Sequence, residues 1–200
     1  MALSNPYDGE RRPGAVGQPL RGVEIRLQSE AGKLVTDENN PGEILVRGPS
    51  VFREYWNRPE ATRESFDDGW FRTGDIAVLD NGYYRIMGRN SVDIIKSGGY
   101  KLSALEIEAV LLDHPSIREC AVVGLPDDTW GETVAAAIAL KDGHHIDLEA
   151  LRSWCQDRIS HYQVPSKLLV VDPLPRNAMG KVTKPAVLKL IRDAVSAETM

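Results

Sequence analysis

The sequence predicts an α+β fold in two parts, a β-barrel-like region over residues 1–88 and a small α+β domain over residues 89–200. Two observations support this division. In the first part, short segments of alternating apolar and polar residues indicate strands with one buried face. After Arg89, apolar strands alternate with amphipathic helices instead, so the domain boundary is expected at residues 88–90.

The first part is predicted to consist of strands with one short helix. Asn81-Gly82 is typical of the two-residue turn of a β-hairpin, because both residues tolerate positive φ. Pro59 predicts the first turn of a helix over residues 59–63, where the amide hydrogen that proline lacks would be unpaired anyway. The predicted strands cover residues 22–27, 42–47, 70–73, 76–79 and 83–87.

The second part is predicted to begin with a hairpin that turns at Gly98-Gly99. Ser103 and Glu106 then form a capping box, which predicts a helix through about residue 113. The other predicted elements are strands at 117–123, 134–140 and 168–171, a helix from Asp147 to about Ile159, and a last helix from Pro185.

Each of these three helices carries an apolar stripe that is expected to face the core. The stripes consist of Leu105, Ile107, Val110 and Leu111 on the first helix, Leu148, Leu151, Cys155 and Ile159 on the second, and Leu188, Leu190 and Ile191 on the last.

Composition narrows the possible functions. A net charge of −5 and a pI near 5.4 argue against a general nucleic-acid binder. Cys120 and Cys155 are too few and too far apart for a disulfide framework or a metal site, so both are expected to be small buried hydrophobes. No apolar run approaches the roughly 18 residues of a membrane span, and no signal-peptide core is present at the start.

The most informative stretch is 175–184, which places Lys181 directly after Gly180 and just before the last helix. A glycine permits a tight turn close to a ligand, and lysine is a mobile cation on a long stem. An isolated Gly-Lys pair is more typical of a solvated turn, so the interpretation depends on motifs elsewhere in the chain. Lys184 is expected to be a solvated lysine at the helix start.

Several motifs occur together with this stretch, in a fixed order along nearly the whole chain. They are Trp70–Asp75 with its Thr-Gly-Asp turn, Gly88-Arg89, Lys96–Ser103, Gly124–Asp127, Trp130–Glu132 and Tyr162–Pro165. In this set the chain resembles the adenylate-forming superfamily of acyl-CoA synthetases, adenylation domains and luciferases. Segments 1–6, 55–57 and 91–96 are similar to those of malonyl-CoA and methylmalonyl-CoA synthetases.

The resemblance implies specific roles for site residues. Asp75 would hold the ribose hydroxyls of ATP or AMP, and Arg89 would contact the same nucleotide. Lys181 would be the catalytic cation between the carboxylate and the α-phosphate. Gly98 and Gly99 would border the pantetheine tunnel.

The resemblance also implies a hinge after Arg89, with one residue more than many members have. Asp93 matches the acidic position of that hinge, which leaves Ser91 or Val92 as the pivot. Residues 1–88 would then be the end of the large AMP-binding domain, and residues 89–200 its C-terminal lid.

The implied cofactors are ATP, CoA and Mg²⁺, and the implied partner is a small carboxylic acid such as malonate, without nucleic acid or membrane. The family's Ser/Thr/Gly-rich phosphate loop, the Mg²⁺ site and most of the acid pocket are expected upstream of Met1, in a missing N-terminal part of the same enzyme. The chain alone is therefore expected to be inactive.

Two alternatives to an acid–CoA ligase remain open at this point. The chain could be a non-catalytic binding or regulatory fragment that stands alone, or part of an adenylation domain that loads a carrier protein. Mitochondria and cytosol are both compatible with the low cysteine content.

Overall fold

The computed structural model describes residues 1–198, which divide into two compact units, Met1–Ser91 and a second unit that begins at Val92. Each unit combines a sheet with at least one helix, so the predicted α+β class is confirmed. No helix among the described residues is long and apolar enough to cross a membrane.

The first unit is β-rich, as the alternating pattern predicts. Its elements are β1 (Leu3–Ser4), β2 (Gln18–Pro19), β3 (Glu24–Gln28), β4 (Leu34–Val35), β5 (Gly42–Arg47), α1 (Pro59–Ser65), β6 (Phe66–Asp67), β7 (Trp70–Asp80) and β8 (Tyr83–Arg89). The main sheet is antiparallel in the order β4-β3-β5-β7-β6, with β8 also paired to β7. Its buried core includes Leu27, Ile44, Val46, Ala77 and Tyr84.

The hairpin between β7 and β8 turns at Asn81-Gly82, where both residues have positive φ, 47° and 78°. This confirms the turn prediction, since that pair of angles suits Asn-Gly. The predicted break at residues 74–75 is absent from the secondary structure, because β7 runs without interruption from Trp70 to Asp80.

The second unit contains β9 (Ile94–Ser97), β10 (Tyr100–Ser103), α2 (Ala104–Leu112), β11 (Ile117–Asp127), β12 (Gly131–Leu140), α3 (Leu148–Gln156), a short 3₁₀ turn (His161–Gln163), β13 (Lys167–Val170) and α4 (Lys184–Glu198). The strands form one sheet in the order β10-β9-β12-β11, with β13 parallel to β12. Ser103 caps α2, since its Oγ accepts from the Glu106 amide at 3.2 Å, which is the serine half of the predicted capping box, and Asp147 caps α3, since its Oδ1 accepts from the Ala150 amide at 2.8 Å.

The central strand β12 is buried on both faces. On one face Val134, Ala136 and Ile138 join a core that includes residues of α2 and α3. On the other face Ala135 and Ala137 pack in a core with residues of α4. Because side chains alternate between the two faces of a strand, this alanine-rich segment accommodates helices on both sides of the sheet.

The predicted helical stripes are correct at their centres and wrong at their edges. Ile107, Leu111, Leu151, Cys155 and Ile191 are buried, and α3 ends at Gln156 rather than near Ile159. Leu105 and Leu190 are each 41% exposed, which corrects their assignment to buried faces. Periodicity identifies the direction of a buried stripe, but the neighbouring elements decide its width.

We expect both thiols to be inert in the native protein. Cys155 is buried, and burial next to the Glu108 carboxylate raises the pKa of Cys120 to about 12. At pH 8 only about one Cys120 in ten thousand would be the reactive thiolate. Iodoacetamide at pH 8 should label neither cysteine within the time that fully labels the protein in urea. Rapid native labelling of Cys120 would contradict the packing around it.

Candidate active site

The Thr-Gly-Asp segment of β7 lies where the register between β5 and β7 shifts. Thr73 Oγ1 donates to the carbonyl of Ile44 at 2.8 Å and accepts from the Asp75 amide at 3.1 Å. The Gly74 amide donates to Glu43 Oε1 at 3.1 Å, and Gly74 has a φ of 75°, which favours glycine. The Glu43 side chain and the Ile44 carbonyl of the neighbouring strand, together with the Thr73 hydroxyl, therefore fix the segment that presents Asp75.

A β-bulge in the hairpin brings Arg89 opposite Asp75. Ala77 pairs with Ile86, whereas Ile76 pairs with Gly88, so Met87 is one extra residue in β8. In a regular hairpin Ile76 would pair with Met87, and Gly88 rather than Arg89 would face Asp75. Arg89 Nε lies 3.0 Å from Asp75 Oδ1, which brings two predicted nucleotide contacts together as an ion pair.

This pair lines a cleft of about 550 Å³ that also includes the aromatic rings of Tyr55 and Phe71. A carboxylate has about four acceptor positions, so the contact with Arg89 leaves Asp75 able to accept from a diol. Guanidinium donors, a carboxylate and aromatic walls are a combination that suits a polar ring compound with an anionic substituent. Sequence reasoning missed Tyr55 and Phe71 as cleft residues; Tyr55 precedes α1, and Phe71 lies on β7 four residues before Asp75.

The predicted hinge residues differ in their surroundings. Ser91 and Val92 are exposed in a turn, and the division between the two compact units falls between them. Asp93 is buried, and its carbonyl accepts from the Ala104 amide at 2.8 Å. The identity of the pivot remains a prediction.

The Gly98-Gly99 turn requires glycine for two reasons. Both residues have positive φ, 56° and 84°, and a Cβ on Gly98 would lie 3.0 Å from the ring of Trp130. The turn adjoins a cavity of about 330 Å³ lined by Trp130, Tyr162 and Arg152 among others. The sequence contains no local signal for this aromatic cavity, because residues that are far apart in the chain build it.

The loop that carries Lys181 is organised by Asn177 and Arg176, which sequence reasoning did not single out. Asn177 Oδ1 accepts from the amides of Met179 and Lys181, both at 3.0 Å, and the Asn177 amide donates to the Lys181 carbonyl at 2.8 Å. Arg176 donates to the Gly180 carbonyl at 2.7 Å and forms an ion pair with Glu119. The Lys181 side chain is exposed at this ordered turn.

Lys184 is not the solvated lysine that the sequence predicts. Its side chain is only 13% exposed, and Nζ lies 2.6 Å from Asp93 Oδ1 and 2.9 Å from Glu108 Oε1. Both carboxylates approach from parts of the chain far away in sequence. The position of Lys184 at the start of a helix therefore did not indicate that its side chain would be largely buried.

Two family models match the chain, one described as AMP-binding enzyme over residues 1–56 and one described as AMP-binding enzyme C-terminal domain over residues 106–181. The chain belongs to the AMP-binding enzymes. The resemblance stated from the motifs is thereby confirmed.

Known relatives of this AMP-binding enzyme chain are much longer. Mitochondrial malonate–CoA ligase ACSF3 of Mus musculus is 53% identical over 94% of this chain, which covers 36% of that protein. Malonate–CoA ligase of Arabidopsis thaliana is 48% identical, with coverage of 96% and 33%. The structure of ATP-bound MatB from Rhodopseudomonas palustris matches with a TM-score of 0.84 at 39% identity, over 97% of this chain and 39% of MatB. The chain thus spans about a third of the length of the curated relatives.

Proposed function

We propose that this chain is the lid-bearing portion of an ATP-dependent, AMP-forming acid–CoA ligase. The observation that carries the proposal is the exposed Lys181 on an ordered loop, in a chain that also pairs Asp75 with Arg89 in a cleft. Residues 1–88 would complete the AMP-binding domain, and residues 89–200 would be the lid.

In the first half-reaction, a carboxylate oxygen of the acid attacks the α-phosphorus of ATP, and the bond to the bridging oxygen of pyrophosphate breaks. Asp75 would accept hydrogen bonds from the ribose hydroxyls, and Arg89 would hold the carboxylate of Asp75 while it donates toward the nucleotide. Lys181 would contact both the acid and the α-phosphate. Its charge would offset the negative charge that builds up as the two anions meet.

In the second half-reaction, the CoA sulfur attacks the acyl carbon and AMP leaves. A turn of the lid at Ser91, Val92 or Asp93 would withdraw Lys181 and admit the thiol, so one site would perform two reactions in sequence. The aromatic cavity beside the Gly98-Gly99 turn supports a role of this face in binding pantetheine.

The proposed acid is malonate, which is supported by the names of the two malonate–CoA ligases that are about half identical to this chain over the aligned residues. A mitochondrial location is supported by the names of the ACSF3 relatives, which include the mouse protein. ATP and CoA fit the donors and acceptors described above. Residues 1–198 contain no cluster of His, Cys, Asp or Glu suited to a metal ion, so we assign no residue of this chain to Mg²⁺.

The proposal predicts a clear difference in activity between this chain and the complete ligase, by which we mean a protein that spans the full length of the relatives. The purified 200-residue chain should show no malonate-dependent exchange between ATP and pyrophosphate, because it lacks the phosphate loop that the family resemblance implies. The complete ligase should convert malonate, ATP and CoA into malonyl-CoA, AMP and pyrophosphate. Full exchange by the chain alone, or release of ADP by the complete ligase, would contradict the proposal.

A further inference from the structure

Three charged side chains form a compact cluster in the second unit, with Lys184 between Asp93 and Glu108. The side chains are 13%, 12% and 15% exposed, respectively, so all three are largely withdrawn from water. Nζ makes no hydrogen bond of good geometry within the described residues, and the attraction between charges is what holds it. Removal of three charges from water costs free energy, so a gain in stability alone does not explain the cluster.

The cluster joins four parts of the second unit. Asp93 lies in the turn that leads from the proposed hinge into β9, and its carbonyl caps the start of α2 through the Ala104 amide. Glu108 lies within α2, and its Oε1 also accepts from the Val122 amide of β11 at 2.8 Å. Lys184 is the first residue of α4.

Lys184 also follows the loop of Lys181 after only two residues. The base of that loop is closed by a β-bridge between Arg176 and Val182 and by the Thr183 amide, which donates to the Pro175 carbonyl at 3.0 Å. Displacement of Lys184 would therefore shift one end of a short, closed loop. The position of the α4 start and the position of Lys181 are mechanically coupled.

We propose that Lys184 is a positioning residue for Lys181, held by Asp93 and Glu108 so that the hinge-proximal turn and the lysine loop move as one rigid body. Replacement of a whole buried ion cluster by apolar residues often changes stability little, although loss of one partner is costly, and in some proteins such a cluster selects one arrangement of the elements that it joins. The inference rests on the proposed function for its catalytic consequence, and its structural consequence can be measured independently.

The structural test compares Lys184→Met with Lys189→Met, which removes an exposed lysine from the same helix. We expect the backbone order parameters of Asn177, Gly180 and Lys181 to fall from about 0.85 to below about 0.6 in Lys184→Met only. Strand β12 should keep its values, because order parameters report fast local motion rather than global stability. Unchanged values in the loop would overturn the inference. If Lys184→Met does not fold, Asp93→Asn decides by the same measurement.

The catalytic test uses the complete ligase. Lys184→Met should lower kcat for acyl-adenylate formation by about 100-fold, the cost of a misplaced catalytic group, with little change in KM for ATP. Lys184→Arg should restore most of the rate, since a guanidinium can pair with both carboxylates. An unsubstituted ligase without adenylation activity would refute the proposed function but not the order-parameter result. An active ligase in which Lys184→Met has the unsubstituted kcat would refute the positioning role alone.

Discussion

Replacement of Lys181 by alanine is expected to slow acyl-adenylate formation in the complete ligase by about 100- to 1000-fold, the usual cost of one lost preorganised contact to a transition state. The ammonium group of Lys181 is exposed, so its loss should not unfold the loop. The loop is held instead by Asn177 and Arg176, whose hydrogen bonds involve only backbone atoms of Lys181 and Gly180. Malonate-dependent exchange between ATP and pyrophosphate measures the effect.

Thioester formation from supplied malonyl-adenylate and CoA should continue at nearly the normal rate in Lys181→Ala, because the lysine is proposed to have left the reacting atoms by then. Met179→Ala is the matched control. Met179 is 77% exposed in the same loop, and the hydrogen bond from its backbone amide to Asn177 Oδ1 does not depend on its side chain. An equal loss in both half-reactions, or an equal loss in the Met179 variant, would show that the loop acts through its structure and not through the cation.

The cleft that contains Asp75 and Arg89 illustrates what a sequence does and does not predict. The Asn81-Gly82 turn is a local signal, and it correctly predicted the hairpin that contains Asp75 and Arg89. A regular hairpin with that turn would place Gly88 opposite Asp75. The bulge at Met87 changes the partner of Asp75 from Gly88 to Arg89, and the local residue types do not indicate a bulge there.

Lys184 shows more clearly what local sequence patterns do not predict. Its position at the start of a helix is normally solvated, and the residue types on either side favour no burial. Its two partners belong to a turn and a helix that are far from it in the sequence. Caps, turns and stripe centres depend on neighbours within about four residues, whereas this cluster depends on tertiary packing and therefore could not be predicted.

Loss of the Lys184 cation should also have a large effect on stability. We expect Lys184→Met to lower the free energy of unfolding of the second unit by about 3 kcal/mol, because two largely buried carboxylates would face each other without their shared counterion. This value is the lower end of the usual range, since all three side chains keep some contact with water. Both cysteines lie in the second unit, so their labelling by iodoacetamide across a urea series reports the unfolding of that unit alone.

The triple variant Asp93→Asn, Glu108→Gln, Lys184→Met separates the cost of an unbalanced charge from the loss of the contacts themselves. Neutral amides keep the shape of the carboxylates and one acceptor oxygen each, which can still accept from the Val122 amide, and they remove the unbalanced charge, so the triple variant should be more stable than Lys184→Met alone. Recovery of stability without recovery of adenylation by the complete ligase would mean that the charges are retained to position Lys181. Recovery of both stability and adenylation would mean that any well-packed set of side chains at this site holds the loop. The ion cluster would then have no special role in catalysis.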